Sequence, residues 1–189
     1  IPVIDELGRL VGRITIDDII DVIKEEADKD YQLAAGISQD VEADDSILEL
    51  TKARLPWLVL ALLGSFIAVK VSRTFEGAME NYGVLFFFTP LIAAMAGNVG
   101  VQSSAIIVQG LANNTLGGTI WHRLYKELRL SLFNGLILAV ILMLGSHFII
   151  GVDYDISITV SIALMSVILI ASLIGTFVPI TLNKYGIDP

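Results

Sequence analysis

Cysteine is absent from the 189 residues. That excludes a disulfide framework, a thiolate metal site and a cysteine nucleophile. Basic clusters are also absent: 12 Lys and Arg stand against 20 Asp and Glu, for a formal net charge of −8. Nothing supplies the positive patch that phosphates need, so no nucleic-acid partner is expected. The two histidines, His122 and His147, lie far apart in the sequence and form no nucleophile–base pair with a neighbour. There is no Walker loop, no Rossmann fingerprint and no EF-hand loop, so the chain does not read as an enzyme. The start, Ile1-Pro2-Val3-Ile4-Asp5, lacks the basic region and apolar run of a signal peptide.

Apolar residues, by contrast, are abundant. They make up 54% of the chain, only 17% is charged, and the mean hydropathy is +0.75. That excludes both disorder and an ordinary water-soluble domain. The charge is uneven: residues 1–54 carry 14 Asp/Glu and 6 Lys/Arg, and residues 55–189 carry 6 of each. The sequence is therefore an acidic, polar head followed by a neutral, apolar body.

The body reads as membrane helices. A span needs about 20 predominantly apolar residues, and residues 55–71, 83–112, 130–152 and 156–183 provide four. Their apolar residues surround the helix rather than forming one stripe, unlike a soluble amphipathic helix. Trp57, Tyr82, Trp121 and Tyr154 fall near span ends, which suits an interfacial aromatic belt. Lys52, Arg54, Arg123, Lys126, Arg129 and Lys184 fall on one side of the bilayer, and Lys70 and Arg73 on the other. The excess places the acidic head in the cytoplasm.

In the head, Pro2-Val3-Ile4-Asp5 and residues 10–14 read as short strands around a turn at Gly8. Thr15 fits a helix N-cap, with Asp18 three positions on. The helix is expected over about 16–28, with Ile16, Ile19, Ile20, Ile23 and Ala27 on one side and Asp18, Asp21, Glu25 and Asp28 on the other. Like charges at this spacing repel, and a divalent cation with oxygen ligands would relieve that repulsion; a plain solvated acidic face is the alternative. Residues 36–45 read as a linker or frayed helix. Residues 46–54 are short and amphipathic and lead into the first span.

No Asp, Glu, Lys or Arg lies within any predicted span core. A polar pathway would therefore use neutral groups rather than the usual intramembrane ionisable ones. The second span offers them in Thr89-Pro90 and in Gly97-Asn98-Val99-Gly100-Val101-Gln102-Ser103-Ser104. Pro90 would remove a backbone donor, and Gly97 and Gly100 would permit close helix approach or local unwinding. Asn98, Gln102 and Ser103 fall near one helical face. Their oxygens suit a hydrated alkaline-earth cation, or else this is a small-residue packing face with interhelical hydrogen bonds.

Four stretches resemble the MgtE type of magnesium transporters and channels. Residues 2–18 resemble the closing half of a cystathionine-β-synthase (CBS) domain, and Asp21-Val22-Ile23-Lys24-Glu25-Glu26-Ala27 the acidic helix that follows it. Arg54-Leu55-Pro56-Trp57-Leu58 is similar to the start of the family's first membrane helix, and residues 97–104 to its second-helix signature. The resemblance implies an all-α polytopic membrane protein preceded by part of an α/β CBS domain. Residues 1–30 would be the CBS-like part, 31–54 the linker and connecting (plug) helix, and 55–189 the pore domain. It implies a homodimer in the lipid bilayer of the bacterial cytoplasmic membrane, with the pore between protomers. A cytosolic Mg²⁺ sensor would hold the gate closed. Asp17, Asp18, Asp21, Glu25, Glu26 and Asp28 are then sensor candidates, and Gly97, Asn98, Gly100 and Gln102 pore candidates. Mg²⁺ is substrate and regulator, and a CBS region also admits an adenine nucleotide.

The chain departs from the family in two ways. Val101 stands where the family often has Asn. The family's fifth span, with a pore aspartate, is expected from about Asp188-Pro189 onward, and an amino-terminal helical domain and first CBS domain are expected before Ile1. Two other readings stay open from the sequence: transport of Co²⁺ or Ca²⁺, and a membrane-anchored CBS module that senses nucleotide without transport.

Overall fold

The computed structural model describes residues 1–113 and 115–187, so the expected start of a fifth helix at Asp188-Pro189 lies outside the described residues. The chain forms two units, Ile1–Thr74 and Phe75–Pro189. The described residues are predominantly helical, and among them are four helices long and apolar enough to cross a membrane and one two-stranded sheet.

In the first unit, β1 (Pro2–Ile4) pairs antiparallel with β2 (Leu10–Arg13), placing Pro2 opposite Arg13 and Val3 opposite Gly12. Asp5 closes the turn: its Oδ1 accepts from the backbone N–H of Leu7 at 3.0 Å and of Arg9 at 2.8 Å. Helix α1 (Ile16–Ala34) starts on the expected capping box. It runs past Asp28 to Ala34, because residues 29–34 contain no helix breaker and the stop comes only at Gly36. Gly36 adopts φ +79°, its N–H reaches the Leu33 carbonyl, and the Ile37 N–H reaches that of Gln32. This is a Schellman stop, which needs a residue free to adopt left-handed backbone.

The following segment has no regular structure, as a linker would, and it is tied down by side-chain hydrogen bonds. The Gln32 side chain bonds both backbone groups of Val41, at 2.8 and 3.1 Å. The N–H and hydroxyl of Ser38 both donate to the Ala53 carbonyl, each at 2.9 Å. Ala53 belongs to α2 (Ile47–Arg73) and is fully buried there. Trp57, one turn on, covers Gly36. The amphipathic segment and the first span are one continuous helix, started by a second capping box between Ser46 and Glu49. Pro56 lies inside it and is tolerated with no break in the helix; neighbouring groups commonly compensate the lost donor in membrane helices.

The second unit has a short α3 (Glu76–Asn81), a 3₁₀ segment Gly83–Phe88, then α4 (Thr89–Ala112), α5 (Ile120–Gly145) and α6 (Tyr154–Lys184). A π-helical turn, Ser146–Ile150, joins the end of α5 to the α6 approach. Helix α6 is the centre: it packs against both α4 and α5, which have no comparable packing on each other. The packing uses small residues, as expected where lipid removes the hydrophobic drive between helices. Gly135 of α5 takes Met165 and Ile168 of α6 at ordinary contact distance. Gly175 of α6 crosses Gly100 of α4 so closely that a Cβ there would stand 2.5 Å from the Gly100 carbonyl oxygen. Two buried hydroxyls of α6 turn back on their own helix, Ser161 on the Ser157 carbonyl at 2.7 Å and Ser172 on the Leu169 carbonyl at 3.1 Å, whereas the buried hydroxyls of Ser157 and Thr176 have no hydrogen-bond partner among the described residues. Outward side chains such as Phe133, Ile141 and Phe148 are exposed and apolar, which suits a lipid surface.

Three expectations for the spans change. Helix α5 begins at Ile120 rather than at 130, because Arg123, Lys126, Glu127 and Arg129 are good helix formers and hydropathy marks membrane depth, not helix length. Pro90 sits in the first turn of α4, where its N–H would be unpaired anyway, so it frees no interior carbonyl. Residues 97–104 are unbroken helix: Gly100 serves close approach, no unwinding occurs, and Gly97 meets nothing within 4 Å.

Candidate functional site: acidic helix and amide face

All six sensor candidates lie on α1 and all are exposed. At 100° per residue, Asp17, Asp21, Glu25 and Asp28 share a face, and Glu26 lies apart from it. Asp18 has a structural task. Its Oδ2 accepts the Thr15 hydroxyl and the Thr15 N–H, both at 2.7 Å. The hydroxyl first and the N–H second hold its carboxyl below the usual range, against a small opposing desolvation. Among the described residues the one ion pair is Arg9–Asp5, so no α1 carboxylate is neutralised by a basic partner. No three acidic or histidine side chains converge on a point among them either. A single α1 thus offers a row of carboxylates rather than a closed cage. No residue of β1, β2 or α1 is buried, so these elements provide no enclosed wall for an adenine ring and do not by themselves fit a nucleotide.

Helix α4 has two different faces. Gly100, Ser103, Ile107 and Gly110 are turned inward. Gly97, Asn98, Val101 and Gln102 are turned outward, and the side-chain amides of Asn98 and Gln102 have no hydrogen-bond partner among the described residues. Ser103, which spacing placed near Asn98 and Gln102, lies on the other face, about 100° from Gln102. It is 5% exposed, and its Oγ donates to Glu127 Oε1 at 2.6 Å. The pore candidates therefore divide: Gly100 is a packing residue, and Asn98 and Gln102 are the polar surface.

The sequence reasoning missed three residues. Glu127 falls outside the span expected over 130–152, yet it lies on α5 and reaches α4. Gly175 was one glycine among many; its pairing with Gly100 is tertiary and has no local signal. Gln109 continues the outward amide row, 7 residues beyond Gln102, and that spacing was legible.

Residues 89–189, which include α4, α5 and α6, match the family model MgtE, described as a divalent cation transporter. The chain belongs to the MgtE family. Relatives match over all of it: the magnesium transporter MgtE of Bacillus subtilis at 35% identity over 190 residues, that of Thermus thermophilus at 32% over 192, and that of Enterococcus faecalis at 31% over 194. The chain spans 42% of the length of each of these curated relatives. Head and bundle thus align together with MgtE proteins, and the amide row lies inside the matched family segment.

Proposed function

We propose that this chain forms the sensor end and most of the pore of a Mg²⁺ transporter, with Mg²⁺ as both cargo and regulator. The observation that carries the reading is the outward amide row of α4. An amide at membrane depth without a partner costs roughly 1–3 kcal/mol. Polar groups are tolerated there only against protein or a wet cavity. Asn98 and Gln102, unpartnered within the chain, are therefore groups awaiting water, a cation or a second copy. A homodimer with α4 at its axis meets all three needs at once. Neutral amide oxygens suit Mg²⁺, which keeps most of its waters and is handled through them.

The basic residues around Lys52, Arg54, Arg123, Lys126, Arg129 and Lys184 support a cytoplasmic head. There the exposed carboxylates of Asp17, Asp21, Glu25 and Asp28 repel any like-charged surface that approaches. Mg²⁺ bridging two such surfaces binds the closed arrangement better than the open one, and so shifts the population toward closed. Full closure from 1:99 to 99:1 needs about 5.5 kcal/mol of differential binding. The clasp of Ser38 on Ala53 joins the segment after α1 to α2, giving sensor motion a path to the first span. The same oxygen set admits Co²⁺ or Ca²⁺, in keeping with the broader family description of divalent cations.

The test is Mg²⁺ uptake by liposomes holding the full-length protein, with external and internal Mg²⁺ varied separately. Uptake that saturates and is suppressed by Mg²⁺ on the head side is expected. Absence of Mg²⁺ flux from folded, inserted protein rejects the reading.

A further inference from the structure

Helices α4 and α5 each pack on α6 but little on each other. One side-chain hydrogen bond joins them: among the described residues, Ser103 Oγ to Glu127 Oε1 at 2.6 Å is the only one between any two of the three helices. The distance is that of a short O–H···O bond. The α4–α6 crossing is tight but non-directional: Gly100 and Gly175 meet backbone to backbone and Ser103 Cβ lies against the same glycine, so the Ser103–Glu127 bond adds a directional side-chain tie to α4. Ser103 is next in sequence to Gln102 and five residues beyond Asn98. A turn of α4 about its axis would carry all three together.

We propose that Glu127 is a positioning residue: through Ser103 it sets the rotation of α4 and so aims Asn98 and Gln102 into the ion path. The inference rests on the transport reading above. It assigns to the basic loop end of α5 a role in the pore that touches no ion. Gly97 and Val101, flanking the amides on the same outward face, would replace them if α4 rotated. A small rotation thus exchanges a polar surface for an apolar one.

The experiment uses full-length protein in liposomes, with uptake expressed per folded, inserted molecule. Ser103→Ala and Glu127→Ala are each expected to lower uptake about tenfold, and the double variant to fall no further than either single, as coupled residues do. Ser103→Thr and Glu127→Gln, which keep a donor and an acceptor, should retain most of it. A second readout needs no flux. In a cysteine-free background, Asn98→Cys should react with a water-borne maleimide, and the rate should drop about tenfold when Ser103→Ala is added, because rotation turns position 98 out of water. Independent, multiplying losses in the double variant would overturn the proposal. So would Glu127→Gln as inactive as Glu127→Ala, since the charge would then act directly. Unchanged uptake per folded molecule with a lower folded yield would also overturn it, by reducing the bond to plain structure. If wild type carries no Mg²⁺ yet the labelling rate shifts as stated, transport is rejected and the positioning role stands.

Discussion

Helices α1 and α4 carry the two sets of residues proposed to meet Mg²⁺, and the two sets differ in charge. On α1 the groups are charged, exposed and open to water. On α4 they are neutral amides turned outward, and the acidic Glu127 bonds Ser103 on the inner side. The difference follows from solvent. In water a carboxylate costs nothing to expose, so a sensor can use full charges and gain affinity from relieving their repulsion. At membrane depth a charge costs about 2.5 kcal/mol or more, so a pathway for a hydrated ion is better lined with dipoles. Folding also treats the two differently. No residue of α1 is buried, and its start depends on a cap. Helix α4 depends on a glycine contact with α6 and on the bond to Glu127.

The largest expected effect lies on the inner side of α4. In Gly175→Ala the new methyl meets the Gly100 carbonyl oxygen at 2.5 Å and Ser103 Cβ at 3.2 Å. Both are fixed groups, so the helices must part, at a cost of about 1–3 kcal/mol. Gly97→Ala, with nothing within 4 Å, should be neutral or gain about 0.5–1 kcal/mol from helix propensity. Unfolding in mixed micelles measures both, and equal losses would refute the assignment of faces.

Next comes the outer side. Asn98→Leu should lower Mg²⁺ uptake per folded molecule about tenfold, on the order of one lost polar contact to the ion or its waters, with unfolding unchanged. A well-folded variant with normal uptake would remove Asn98 from the pathway. On α1, Asp21→Asn combined with Glu25→Gln should raise the Mg²⁺ concentration needed for inhibition by about threefold to tenfold, the range of a 1 kcal/mol coupling, and leave uptake at low Mg²⁺ intact. Inhibition at the wild-type concentration would return these carboxylates to the status of a solvated surface. The contrast between the helices is sharpened if each double or single variant changes only its own readout.

Much of this was legible before any coordinates. The four spans were, because membrane depth is written in contiguous apolar residues. So was the Thr15–Asp18 cap, which is a local pattern. The family resemblance, carried by residues 97–104 above all, pointed to the same family that the comparison finds over residues 89–189. The C-terminal end of α1 and the start of α5 were not legible, since charged and apolar residues propagate a helix equally well; Gly36 stops α1 and the Thr119 cap opens α5. Within the site, the shared face of Asn98 and Gln102 followed from spacing, and its outward position did not. The inward turn of Ser103 did not either, because its partner Glu127 is 24 residues away and lies outside the expected spans. The clasp of Ser38 on Ala53 was equally invisible: both residues are small and polar or neutral, and their meeting depends on how the segment after Gly36 folds back.

The smallest expected effect concerns pH and α1 alone. Asp18 is held below its ordinary carboxylate range by the Thr15 hydroxyl and N–H. A depressed pKa in the folded state contributes stability that is present above the unfolded value and lost as pH falls through the folded one. The first turn of α1 should therefore stay closed near neutrality and fray as pH drops below about 4, the unfolded value for Asp. Amide hydrogen exchange at residues 15–19, followed from pH 7 to pH 3 after correction for intrinsic rates, reads this directly. Thr15→Ala should loosen the turn already at pH 7, by about 1 kcal/mol, and flatten the pH response, because the group that depresses Asp18 is gone. The outward carboxylates Asp21 and Glu25 take no part in the cap, so their neutral variants should leave this response in place. A response that vanished with them instead would mean that repulsion along the acidic face, and not the cap, governs how α1 begins.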